Sequence, residues 1–190
     1  MLQQWLFLRL NLFRIAVIYP SLVLVLLGGC SPEYNWREVR PTGLGYQVMF
    51  PGKPGMASRE VMVEGRPFMM NLSAAQAGGH SFSVGVLQLT NDSLADRERM
   101  LAVLRSQMLR NIAATELTSA PIKVPVLDLQ GKTTTSVSGL RVEAQARAQP
   151  NRLHGVFVAR GTRVYQFLVI GQNPELEQVQ TFLESFRLVE

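Results

Sequence analysis

Leu153-His154-Gly155-Val156-Phe157-Val158-Ala159 and Arg163-Val164-Tyr165-Gln166-Phe167-Leu168-Val169-Ile170, separated by Arg160-Gly161-Thr162, decide how this 190-residue chain folds. Aromatic and β-branched residues fill both arms, a composition that suits a pleated sheet. The short link contains a glycine, which takes the positive φ of a tight hairpin turn without steric cost. The two arms therefore read as a β-hairpin. The second arm is the most apolar segment beyond the first thirty residues, so a central place in the sheet is expected for it.

Toward the N-terminus, more strands are expected. Tyr46-Gln47-Val48-Met49-Phe50 alternates with period two and stops at Pro51-Gly52. Arg59 to Val63, Phe68 to Ala75 and Phe82 to Leu89 follow, with turns at Glu64-Gly65-Arg66-Pro67 and Gly78-Gly79. The links are too short for helical crossovers, so these strands should be antiparallel. Pro121 to Leu129 is extended, and Pro121 and Pro125 make it an edge strand or a loop. Gly139 to Ala148 is a further strand, with Leu140, Val142, Ala144 and Ala146 alternating.

Two helices complete the pattern. Asn91-Asp92-Ser93 offers capping side chains to a helix reaching about Ala113. Leu94, Leu101, Leu104, Met108 and Ile112 form its apolar stripe, and Arg97, Arg99, Arg105 and Arg110 lie mostly off it. These arginines read as a solvated face, with contact to anionic lipid headgroups as the sharper alternative. Near the C-terminus, Asn173 can cap, Pro174 suits the first helical position, and Glu175 and Glu177 favour the positive end of the dipole. Leu176, Val179, Leu183 and Phe186 form the second stripe. The fold class is then α+β: a single twisted, mainly antiparallel sheet with two packed helices.

Composition narrows the function classes. Hydrophobic residues make up 47% of the chain, as in an ordinary globular protein. One cysteine excludes a disulfide framework and a cysteine-based zinc cage, and two histidines leave little for a histidine-rich metal site. Only Arg9 and Arg14 of the 19 basic residues precede Glu33, the first of the 14 acidic ones, so the remainder carries a net charge of about +3. Spread without clusters, this charge does not point to nucleic acid, and no nucleic-acid partner is expected.

Residues 1–29 have the layout of a secretory leader: two arginines, the apolar run Ile15 to Leu27, then small residues. Leu27-Gly28-Gly29-Cys30 resembles the lipobox of bacterial lipoproteins. The resemblance implies cleavage between Gly29 and Cys30, a diacylglycerol on the Cys30 thiol and a further fatty acyl chain, such as palmitate, on the new amine. Several acyl chains together hold a protein stably on a bilayer. Ser31 follows Cys30, and no aspartate does; by the same resemblance this favours the outer membrane, on its periplasmic side. The alternative is an uncleaved, non-lipidated signal anchor in the inner membrane, with Trp5 to Phe13 lengthening the apolar span. Residues 30–43 are expected to be the lipidated N-terminus and a tether, and residues 44–190 the folded domain.

Tyr46-Gln47-Val48-Met49-Phe50-Pro51-Gly52-Lys53-Pro54 resembles the opening strand and turn of PsbP-like domains, a fold shared with Ran-release-factor proteins and many small bacterial lipoproteins. Arg163 to Gly171 and Phe182 to Leu188 fit its closing hairpin arm and helix. The resemblance implies an αβα sandwich over residues 44–189 and a non-enzymatic scaffold that docks onto something else. It carries over no catalytic residue, and shared fold alone does not fix function.

No catalytic set emerges from the residues, and no cofactor or metal is expected. Gly131-Lys132-Thr133 lacks the preceding glycine of a phosphate loop, because Val126 stands in its place. Gly79-His80-Ser81-Phe82-Ser83 lacks the last glycine of a nucleophile elbow, and nothing in the pattern brings Asp92 or Asp128 to Ser81. His80 and His154 have no partner ligand at metal-binding spacing. Glu60 and Glu64 should both face solvent. Met49, Met56, Met62, Met69 and Met70 are expected to be core residues of the early strands, with an adaptable groove or a soft Cu(I) site as alternatives. The leading functional reading is a periplasm-facing binding or assembly module that contacts an envelope protein. A small-ligand carrier or an enzyme with a pocket in the sheet is the alternative.

Overall fold

The computed structural model describes residues 32–190, and Glu33–Glu190 forms one compact unit. Among the described residues ten strands form a single sheet: β1 (Arg37–Val39), β2 (Tyr46–Phe50), β3 (Gly55–Val63), β4 (Arg66–Ala77), β5 (His80–Gln88), β6 (Ala114–Leu127), β7 (Thr133–Ala146), β8 (Asn151–Arg160), β9 (Arg163–Gln172) and β10 (Arg187–Val189). Helix α1 (Leu94–Asn111) follows β5, and α2 (Leu176–Ser185) follows β9. The sheet order is β1-β2-β10-β6-β7-β8-β9-β5-β4-β3. Every pairing is antiparallel except β10 with β6.

The expected hairpin is the middle of this sheet. β8 and β9 pair along their whole length, and Arg160 opposite Arg163 leaves a two-residue turn in which Gly161 takes φ +58°. β9 lies between β8 and β5, the central place its apolar sequence predicts. Alternation along it fills both faces. Tyr165, Phe167 and Val169 join Val156, Val158, Phe82 and Val84 beneath α2. Val164 and Leu168 join Leu153, Phe157 and Leu87 beneath α1. The helices thus cover opposite faces, and the layers are α-β-α.

Several elements differ from expectation. The stretch from Tyr34, expected as tether, is part of the fold. Tyr34 stacks on Trp36 at 6.0 Å, both rings meet Phe82 edge-on, and Arg37–Val39 pairs with β2. β6 is a strand rather than a loop: it is internal at its C-terminal end, where β10 joins it, and an edge over the rest, as its prolines predict. β10 reaches only Val126 and Leu127, so Pro121 and Pro125 lie where β6 pairs with β7 alone and a missing N–H costs no ladder bond. The helix stripes hold except in their first turns: Leu104, Val179, Leu183 and Phe186 are buried, and Leu101, Met108 and Ile112 pack against the core. Leu94 and Leu176 are exposed first-turn residues, while Met100 and Phe182 are buried. Ser93 caps α1, accepting the Asp96 N–H at 3.0 Å. Asn173 does not cap α2; it turns the chain out of β9 with φ +43°, and Glu175 occupies the cap position.

Candidate docking face on the edge hairpin

The five methionines between 49 and 70 do not share one environment. Pairing of β3 with β4 fixes their faces: Met62 opposes Pro67, Glu60 opposes Met69, and Arg59 opposes Met70. Neighbours along a strand point to opposite faces. Met70 therefore enters the core beneath α1, and Met69 points to the α2 side. Met56 and Met62 share that side. They are 59%, 57% and 50% exposed for Met56, Met62 and Met69, while Met70 is buried and Met49 half-buried on β2. The expectation of five core methionines is thus corrected for three of them. They do not converge as a five-thioether metal site either, because the sheet separates Met70 from Met56, Met62 and Met69, and Met49 lies on β2.

The exposure has a simple cause. Helix α2 packs on β2, β8 and β9 and stops short of the β3–β4 hairpin. β3 is the last strand of the sheet, bonded only to β4. What approaches the uncovered face is the loop before β2: Arg40, Pro41 and Leu44 line an open groove with Met56, Ser58 and Asn71. Ser58 Oγ donates to Asn71 Oδ1 at 2.5 Å, a polar pair that separates Met56 from Met69 on this face. Met56 lines this groove, and Met62 and Met69 lie beyond it on the same face; such flexible thioethers can adapt to an apolar partner. The free edge of β3 is guarded by Arg59 and Glu60 and by Gln107 of α1, which donates to the Met62 carbonyl at 3.2 Å.

The other residues singled out from the sequence lie apart. Ser81 opens β5 at one end of the sheet, whereas Asp92 lies beyond the far end of that strand, paired with Arg97. Asp128 caps the β6–β7 turn by accepting the N–H groups of Gln130 and Lys132. Gly131-Lys132-Thr133 is that turn and leads into a strand rather than a helix. Three of the four α1 arginines are paired, Arg97 with Asp92, Arg99 with Glu64 and Arg105 with Glu116, which favours the solvated-face reading. Glu60 is exposed on β3.

Both histidines are packed. His80 is 9% exposed; Nε2 donates to the Gln172 carbonyl at 3.1 Å, which leaves Nδ1 to accept from the Tyr34 hydroxyl at 3.4 Å. His154 lies on β8 opposite Glu143. Burial pushes its pKa below the ordinary 6.5; Glu143 opposes this, and Arg152 and Arg141 add to it. Glu143 Oε1 is 3.7 Å from Nδ1, beyond hydrogen-bond range, so burial wins. Below pH 6.5 the unfolded chain takes up a proton that the folded chain resists. His154 therefore leaves stability untouched above 6.5 and lowers it as pH falls from there toward the depressed folded value. Thermal unfolding across this range should show a steeper acid-side loss for the native chain than for His154→Gln. A steeper loss in the variant would refute the assignment.

With helices on both faces of this strand order, the chain can be set beside known structures. It is similar to the solution structure of cyanobacterial PsbP (CyanoP) from Synechocystis sp. PCC 6803, with a TM-score of 0.50 and 12% sequence identity, over 85% of this chain and 98% of that one. The fold is PsbP-like. No family model matches the chain. No curated protein matches it in sequence. At this identity the PsbP-like likeness concerns architecture alone. The lipobox signal at Gly29 and Cys30 lies outside the described residues.

Proposed function

We infer that this protein is a bacterial envelope lipoprotein whose PsbP-like domain is a non-catalytic binding or assembly module, tethered through Cys30 to the outer membrane and facing the periplasm. Leu27-Gly28-Gly29-Cys30 at the end of an apolar run supports the tether. The observation that carries the binding role is the methionine face: Met56, Met62 and Met69 project from the face of the edge hairpin that α2 leaves uncovered, while α1 packs on its other face. Exposed large apolar side chains on an uncovered sheet face, here Met62 diagonal to Met69 with Met56 set apart by Ser58 and Asn71, mark an interaction site. The partner is expected to be an envelope protein offering an apolar strip of its own.

Two substitutions test the two halves separately. Cys30→Ser should yield a chain without fatty-acid mass that leaves the membrane fraction. Normal processing and unchanged membrane retention would refute lipidation. Met62→Gln with Met69→Gln should leave folding stability within about 0.5 kcal/mol, because both positions are exposed. The same pair should abolish crosslinking to the envelope protein that the native chain captures. No crosslinked chain from native envelopes, or full capture by the double variant, would refute the docking face.

A further inference from the structure

The anchor leash is far shorter than residues 30–43 suggest, and this sets which way the domain faces. Tyr34 is fixed by its ring stack on Trp36 and by His80, and the Asn35 N–H donates to the Pro51 carbonyl at 2.9 Å. Only Ser31, Pro32 and Glu33 separate Cys30 from that clamp. Fully extended, this link spans about 14 Å. Tyr34 and His80 lie at one end of the sheet, where β4 ends at Ala77, β5 begins, and Asn151 of β8 opposes Gln172 of β9. From that end β4 runs back through 12 residues to Arg66, roughly 36 Å away. Met69 is eight positions before Ala77, about 26 Å along the strand.

We propose that the end of the sheet formed by the Gly78-Gly79 turn, the loop 147–150 and the segment 173–175 rests against the lipid bilayer, holding Met62 and Met69 out toward the periplasm. This rests on lipidation at Cys30. A leash of about 14 Å cannot carry the far end of a body twice that height down to the headgroups. Charge does not select the face: Arg147 and Arg152 stand there against Glu33 and Glu175. Link length does. Membrane attachment and the Met62–Met69 part of the docking face are thereby placed toward opposite ends of β4, with Met56, opposite Ser73, about 13 Å from the membrane end.

The full lipidated chain permits a direct test, because acylation of Cys30 consumes its one native thiol. Ala148→Cys and Arg66→Cys each introduce a single site for a fluorophore, both at exposed positions at the two ends of the sheet. The proteins are reconstituted in phosphatidylethanolamine–phosphatidylglycerol vesicles containing lipid with a nitroxide-labelled headgroup. Quenching should be several-fold greater at position 148 than at 66. Equal quenching, or more at 66, would overturn the orientation. A Gly-Ser insert of about 20 residues between Pro32 and Glu33, with a root-mean-square span of about 25 Å, should erase the contrast. Persistence of the contrast would overturn the leash as its cause. Mass spectrometry of the same samples separates the two claims: no fatty mass refutes the lipoprotein reading, whereas fatty mass with equal quenching refutes only the orientation.

Discussion

Phe182→Ala should destabilise the fold by about 3–5 kcal/mol, the usual cost of removing a buried phenylalanine. For a chain of this size that lowers the melting temperature by on the order of 10 °C. Phe182 is fully buried on α2, edge-on to Phe50 at 5.3 Å and to Phe82 at 5.4 Å. Phe82 in turn supports Trp36 and Tyr34. The ring is thus a junction between helix, sheet and N-terminal clamp, and its loss leaves a cavity with rigid walls. Leu176→Ala on the same helix is the control. It is 62% exposed, and its loss should stay within about 0.5 kcal/mol. Urea unfolding of the two variants measures both values. Equal losses would mean that α2 presents a different face to the sheet.

That contrast also marks where the sequence pattern was sufficient. Leu176 and Phe186 belong to one helical stripe by spacing, as do Leu94 and Leu104. Spacing identifies a face, but it does not say where the sheet ends. Both leucines sit in a first turn that overhangs the core, and Met100 and Phe182 take the buried places. The hairpin of β8 and β9 was legible because period, residue type and turn chemistry agreed. The strands β1 and β10 were not, because three residues carry no period. They exist because β2 and β6 offer edges to pair with. The prolines of β6 rightly mark a free edge; what they do not show is that β10 covers the last two residues of the strand.

The docking face was only half legible. Five methionines in twenty-two residues flagged the region. Their sorting needed the register of β3 on β4, and a shift of one residue would exchange core and surface sets. With Arg59 opposite Met70, the hairpin buries Met70 and exposes Met62 and Met69. No property of the methionines themselves distinguishes those outcomes. The clamp between Tyr34 and His80 left even less trace in the sequence, because its partners are 46 positions apart.

Gly171→Ala probes that clamp and should produce the other large effect. Gly171 is buried in β9, and a methyl group there would run into the His80 ring. Backbone conformation is not the obstacle, since Gly171 has no positive φ. The ring has little room to yield, because Nε2 is bonded to the Gln172 carbonyl and Nδ1 to Tyr34. Overpacking of this kind costs about 1–3 kcal/mol. It should also free the N-terminal segment, seen as faster hydrogen exchange at Asn35, whose N–H is otherwise held by Pro51. His80→Ala alone removes the ring and its hydrogen bonds and should itself destabilise. Combined with Gly171→Ala, it removes the collision, so the double variant should be more stable than the sum of the single losses predicts. Contacting residues show such coupling at about 0.5–3 kcal/mol. Strict additivity would mean that the two side chains do not meet, and the clamp would have to be redrawn.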